Sequence, residues 1–212
     1  MDQMDEIKKD AQKYFIGANG CHMWDHTERV IQTCLHIGKK ENANLYVLEI
    51  SAILHDIKKM EEMESKGSIC HATKGAKEAM NFLKKYDLEQ KDLDAIYHCI
   101  EAHRKRNSIE PNTIEAKILF DADKLDGIGA IGIGRMFLFA SKVGAKLHDK
   151  DVDVAKTKEY SEDDTAYREF LAKMQFVKDK MLTIEGKRMA KERHDFMVSF
   201  FNRMNKEVVG EL

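Results

Sequence analysis

The sequence predicts an all-α protein, and three features carry that reading. Apolar residues recur at helical spacing through most of the chain. No alternating apolar–polar run is long enough for a half-buried strand. The single proline, Pro111, leaves the helical stretches uninterrupted. The 212 residues suffice for one domain with a real core, and 43% hydrophobic against 34% charged residues is an ordinary soluble globular composition.

Taken in order, His26 follows Trp24-Asp25 and begins a helix of mixed character. Val47, Ile50, Leu54 and Ile57 line one face of a helix that starts at an Asn44 cap and carries His55 and Asp56 within it. Ala72, Ala76, Ala79, Met80 and Leu83 line another, and Leu93, Ile96, Tyr97 and Ile100 a third. Asn112 with Glu115 three residues later resembles a capping box opening a long helix. Tyr167, Phe170, Leu171, Met174, Val177 and Met181 mark a later helix, and Met197, Phe200, Phe201 and Met204 the last. The polar stretch Lys150 to Asp164 reads as a long surface loop. It separates a core at about 20–145 from C-terminal helices at about 162–209 that pack back onto it, within one domain spanning 1–212.

A formal net charge of −2 exerts no global pull on nucleic acid or anionic membrane, so no stable nucleic-acid partner is expected. Phosphate recognition would have to come from a local basic cluster. The first residues, MDQMDEIKKDAQKYF, are polar and lack the apolar run of a signal peptide. No stretch is long and apolar enough to span a bilayer, and a cytoplasmic protein is expected. Cys21, Cys34, Cys70 and Cys99 form no CxxC pair, which predicts reduced thiols rather than a cysteine zinc site.

Four runs carry chemistry: GCHMWDHTERV, AILHDIKK, IEAHRKR and ILFDADKLDGIGAIGIGR. In the second, an imidazole and a carboxylate stand side by side at His55-Asp56, a donor pair suited to a borderline divalent metal. In isolation such a pair is more often a satisfied histidine beside a surface aspartate. The other runs alter that balance. DADKLD puts acids inside an otherwise apolar helix after Ile118, Leu119 and Phe120, and buried carboxylates are costly unless paired or metal-bound. A histidine, then His-Asp, then Asp, each on its own helix, can close a four-ligand cage with open positions for water.

This ordered set resembles the HD superfamily of metal-dependent phosphohydrolases. His26, then His55-Asp56 inside LHDI, then ADKLD match its pattern in order and spacing over at least residues 20–145. The runs CHATKGA, EAHRKR, EAKILFDADKLDGIGAIGIGR and TIEGKRMAKERHDFM are similar to those of one bacterial and archaeal branch of small stand-alone members. The resemblance implies an HD-type helical bundle and a divalent metal ion (Mn, Fe, Co, Ni, Mg or Zn) held by His26, His55, Asp56 and an aspartate of DADKLD. Asp121 and Asp123 are two positions apart and face different sides of a helix, so one of them is the ligand. The family's A-D-K register favours Asp123, leaving Asp121 to orient a ligand histidine, with the reverse assignment open.

The same resemblance implies that Lys59, at the lysine of the family's HDIGK form, and Lys124, after the ligand aspartate, face substrate phosphate. Lys58 replaces the glycine of that form. Arg104 and Arg106 form a fork whose planar donors suit phosphate, although each of these cations could equally lie on a solvated face. His71 and His103 fall where some members place ligands of a second metal bridged by the aspartate of the His-Asp pair. Otherwise they bind phosphate oxygens or move a proton to the leaving group. GIGAIGIGR is no P-loop, because it lacks a preceding strand and a GK[ST] ending, so its glycines read as close packing. Arg188, Arg193 and His194 are not assigned to the site.

The expected activity is hydrolysis of a small phosphorylated metabolite, most simply a nucleotide, by a chain that could form a homodimer. Two other readings stand beside it. One is a di-iron oxygenase, which requires His71 and His103 as ligands. The other is a binding module that keeps a metal without turnover.

Overall fold

The computed structural model describes residues 2–17, 23–65, 67–104 and 109–212. Arg106 and Cys21 lie outside the described residues. Among the described residues every regular element is helical, as the apolar spacing predicts. The chain divides into two compact units, one of Met1–Asp123 with Leu182–Glu185, the other of Lys124–Met181 with Gly186–Leu212.

The first unit is organised by a helix that is apolar on nearly every face, Glu49 being its one charged residue, as suits a helix at the centre of a core. It follows α1 (Gln3–Ala11) and α2 (Trp24–Lys40), and as α3 it spans Leu45–Leu54. The Asn44 side chain accepts from the amides of Tyr46 and Val47, the cap the sequence predicts. Leu48, Ile50, Ile53 and Leu54 have no exposed surface. Burying each such side chain is worth ~1.5–3 kcal/mol. The helix packs against α1, α2, α5 (His71–Leu83) and α6 (Gln90–Ala102), with the short α4 (Lys59–Glu64) set against α5. Close approach of α2 to α3 depends on Gly38, where a Cβ would stand 2.7 Å from a Leu45 methyl and 2.8 Å from one of Leu48.

Two expectations about element ends are corrected in this unit. The α3 helix stops at Leu54 instead of running through Ile57, which leaves His55 as its C-cap residue and Asp56 in the turn beyond. The physical reason lies in the histidine itself. Its Nδ1 bonds the Ala52 carbonyl at 2.7 Å, taking one of the last carbonyls that a terminating helix leaves unpaired. The second correction concerns α7 (Ile114–Leu125). Its cap is Thr113, whose hydroxyl accepts from the Ala116 amide, rather than Asn112. Glu115 does not close a capping box. Its carboxylate accepts from the Asn44 amide, a partner remote in sequence.

The second unit contains α8 (Gly129–Lys142), α9 (Ala166–Ala172), a 3-10 helix Met174–Lys180, and α10 (Ile184–Glu207) from Gly186 onward. Phe170 stacks on Phe201 with ring centroids 4.9 Å apart, and Tyr167 lies 5.3 Å from Phe201, forming its aromatic core. The continuous helix expected over Tyr167–Met181 is broken at Lys173 (φ −137°, ψ −50°). Leu171, Met174 and Val177 recur every third residue, the repeat of a 3-10 helix, and apolar spacing this short does not separate the two helix types. The expected loop over 150–164 is present. Arg168 ties it down, donating to the Asp164 carboxylate (2.9 Å), the Thr157 hydroxyl (2.7 Å) and the Thr157 carbonyl (3.0 Å). In GIGAIGIGR, Gly132 serves packing in this unit, because a Cβ there would sit 2.3 Å from the Gly127 carbonyl oxygen, whereas a Cβ on Gly134 would meet nothing within 4 Å.

Candidate metal centre

Five helices of the first unit deliver the chemistry-bearing side chains to one buried place. His26 stands in the first turn of α2, and His55 and Asp56 at and just past the end of α3. His71 is the first residue of α5, His103 caps the C-terminus of α6, and Asp123 comes from α7. His55 and His103 are held in the same way. Each is a C-cap residue whose Nδ1 bonds the carbonyl three residues back, Ala52 at 2.7 Å and Ile100 at 2.6 Å. A carbonyl can only accept, so both Nδ1 atoms carry the proton and both Nε2 atoms present a lone pair. The C-terminal end of a helix dipole also favours a cation.

The residues form two triads, each with potential ligand atoms within 4.8 Å of one another: His26, His55 and Asp123, and Asp56, His71 and His103. Asp56 faces both. Its Oδ2 lies 3.7 Å from His26 Nε2 and 3.8 Å from His55 Nε2, while its Oδ1 lies 2.9 Å from His71 Nε2 and 4.0 Å from His103 Nε2. Asp123 Oδ1 is 3.5 Å from His26 Nε2. Within the triads, the Nε2 atoms of His26 and His55 are 3.4 Å apart, and those of His71 and His103 3.1 Å apart.

Burial favours the neutral form of two of the rings, His55 and His103. The His103 ring is pushed down to about 3 by desolvation, reinforced by His71 and His55 beside it. Desolvation likewise lowers His55, against the pull of Asp56. Neutral imidazoles with converging lone pairs repel one another unless a positive charge lies among them. The donor set of nitrogen and carboxylate oxygen therefore fits borderline divalent ions in both triads.

Asp121 has other partners. It is fully buried, and its carboxylate accepts from the Leu182 amide at 2.9 Å, the Thr183 amide at 2.8 Å and the Thr183 hydroxyl at 2.6 Å. Such a buried anion is balanced by hydrogen bonding to backbone donors. Nothing in the local pattern of DADKLD announces these partners, which lie about sixty residues downstream.

Sequence reasoning also missed Glu62. In KKMEEMESK it reads as one more charge on an exposed helix, yet it is 6% exposed. Its carboxylate accepts from Lys59 Nζ at 2.8 Å, from His71 Nδ1 at 2.8 Å and from Arg104 Nη1. Burial opposes its ionisation, but the hydrogen bond and charge of Lys59, with His71 beside it, prevail and hold it at about 2. Lys59 and Arg104 are thus engaged with Glu62. Lys124 lies beyond Asp123 in the second unit. His98, by contrast, accepts from the Asn112 amide at 3.1 Å, in keeping with a helix phase different from that of His103.

Comparison with known proteins gives the family of the chain. Residues 23–128 match the model of the HD domain. A Bacillus subtilis protein, YpgQ, is 31% identical over 98% of this chain and 95% of its own length. The chain belongs to the HD-domain family. The crystal structure of YpgQ in complex with ADP superposes with a TM-score of 0.72 at 30% identity, covering 98% of this chain and 96% of that one. A predicted HD superfamily hydrolase from an uncultured Thermotogales bacterium gives 0.69 at 26% identity, over 96% and 91%. No helix among the described residues is long and apolar enough to cross a membrane, and Cys34, Cys70 and Cys99 are free thiols.

Proposed function

We propose that the chain is a metal-dependent phosphohydrolase acting on a small phosphorylated metabolite, with a nucleotide as the favoured class. The observation that carries this reading is the carboxylate of Asp56, whose two oxygens face two separate histidine pairs. In this reading His26, His55, Asp56 and Asp123 hold one divalent ion, and Asp56, His71 and His103 hold a second. Bound there, such ions supply Lewis acidity toward a phosphoryl oxygen and acidify water. The protein's own part is to turn the lone pairs of the His55 and His103 Nε2 atoms toward the site, by anchoring each Nδ1 on a backbone carbonyl, and to exclude bulk water by burial. Lys124, Lys59, Arg104 and Arg106 then offset charge developing on the phosphoryl oxygens. For Lys59 and Arg104 this requires phosphate to share or replace Glu62 as partner.

The nucleotide class is supported by the relative YpgQ, whose crystal structure holds ADP. Free thiols agree with a cytoplasmic setting. A release assay for phosphate and pyrophosphate over nucleoside mono-, di- and triphosphates, with and without added Mn, tests the reading. Mn-dependent release from at least one nucleotide is expected, and no release from any phosphorylated compound with metal loaded would refute it. The second triad also meets the ligand demand of a di-iron oxygenase. Metal analysis with an oxygen-consumption assay separates the two: two irons with oxygen uptake and no phosphate release would favour oxygenation.

A further inference from the structure

The three Nδ1 anchors of the cluster are not alike. His55 and His103 rest on backbone carbonyls of their own helices, fixed by the fold. His71 rests on the Glu62 side chain at 2.8 Å, nine residues away in sequence. Glu62 is in turn held by Lys59 at 2.8 Å and by Arg104, whose Nη1 also lies 3.1 Å from His71 Nδ1. A carboxylate is a stronger acceptor than an amide carbonyl, and it raises the basicity of the imidazole that donates to it.

We propose that Glu62 is a positioning residue for the second ion. It fixes the His71 tautomer so that Nε2 faces Asp56 and His103, and through Lys59 and Arg104 it joins that ion's affinity to the binding of substrate phosphate. The inference rests on the two-ion reading above and goes beyond it. The contact of Glu62 with the cluster runs through His71 of the second triad, so the effect is expected chiefly at the second ion. When phosphate draws Lys59 and Arg104 away, Glu62 is left with His71 as its remaining partner of the three. Phosphate and the second ion therefore strengthen each other's binding, by the same factor in both directions.

The test is titration of metal-stripped protein with Mn, by calorimetry and by metal content after dialysis, for wild type, Glu62→Gln and Glu62→Ala, with circular dichroism to verify folding. Wild type is expected to take two ions. Glu62→Ala should keep the first and bind the second ~10–100-fold more weakly. Glu62→Gln, whose amide oxygen still accepts the Nδ1 proton, should fall between them. Inorganic phosphate should tighten the second ion in wild type and much less in Glu62→Gln. Unchanged affinity for the second ion in both folded variants, or equal weakening of both ions, overturns the proposal. If Glu62→Ala does not fold, Glu62→Gln carries the test with the same criteria. Fewer than two ions on wild type overturns the two-ion reading itself, and this proposal with it.

Discussion

The two triads of the cluster use similar donors but are built by different means. In the triad of His26, His55 and Asp123, the His55 ring is locked by its own helix end, and Asp123 retains a quarter of its side-chain surface in solvent. In the triad of Asp56, His71 and His103, every member is at least 95% buried, and one ring depends on a side-chain network of Glu62, Lys59 and Arg104. The difference teaches that a backbone anchor makes a ligand insensitive to sequence around it, whereas a side-chain anchor makes it tunable. In the proposed reading, the first triad is the invariant ion and the second the adjustable one, with Asp56 common to both.

The largest effect should come from the shared residue. Asp56→Ala is expected to lose both ions and reduce phosphate release to the background of EDTA-treated protein. His55→Ala should lose the first ion and turnover. Metal content and activity of the purified variants check this, and a fully active Asp56→Ala protein would break the comparison at its hinge.

Next come the two aspartates of DADKLD. Asp123→Ala should lose the first ion with little change in stability, since its carboxylate is partly exposed. Asp121→Ala should do the reverse. It strands the part-buried Leu182 amide and the buried amide and hydroxyl of Thr183, at a cost of ~3–5 kcal/mol, read from denaturant midpoints. A stable Asp121→Ala protein that has lost its metal would exchange the two roles.

Acid should affect the metal-free cluster in a defined window. His103 titrates at about 3 in the folded chain against 6.5 for an ordinary imidazole, and His55 is displaced in the same direction. Between those values the unfolded chain binds the extra proton, so stability in EDTA should fall as pH drops from 6.5 toward 3 and level off below. Glu62, held at about 2, adds a further loss as pH falls through the carboxylate range. Urea midpoints at pH 7, 5.5 and 4 measure the slope, and a flat profile would mean the rings are not buried neutral.

The smallest effect is expected at Lys124. Lys124→Ala should retain both ions and raise KM several-fold, because its proposed partner is substrate phosphate rather than metal. Loss of metal in this variant would place it in the wrong role.

How much of this was legible in the sequence follows from the range over which each signal acts. Helical periodicity and the Asn44 cap act over a few residues, and both are found as read. The order His26, His55-Asp56, ADKLD singled out the cluster because each run carries its own local mark. What failed were ends and partners. The α3 helix stops at Leu54 because the His55 ring takes a carbonyl of the last turn, a choice that apolar spacing does not encode. Thr113 rather than Asn112 caps α7, and Glu115 goes to Asn44, because tertiary contacts outbid a local box. Glu62 itself, and the partners of Asp121, stayed invisible for a common reason. Each is a buried carboxylate with partners on elements remote in sequence, His71 and Arg104 for Glu62 and Leu182 and Thr183 for Asp121, which a local sequence window does not contain.

The central claim is that Asp56 bridges two ion positions. Anomalous diffraction from crystals soaked in Mn measures it directly. The account predicts two peaks ~3.5–4 Å apart, one on each side of the Asp56 carboxylate, the first bounded by His26, His55 and Asp123 and the second by His71 and His103. Fully occupied Mn that makes no contact with Asp56, or a cluster that stays free of metal at saturating Mn, would contradict it.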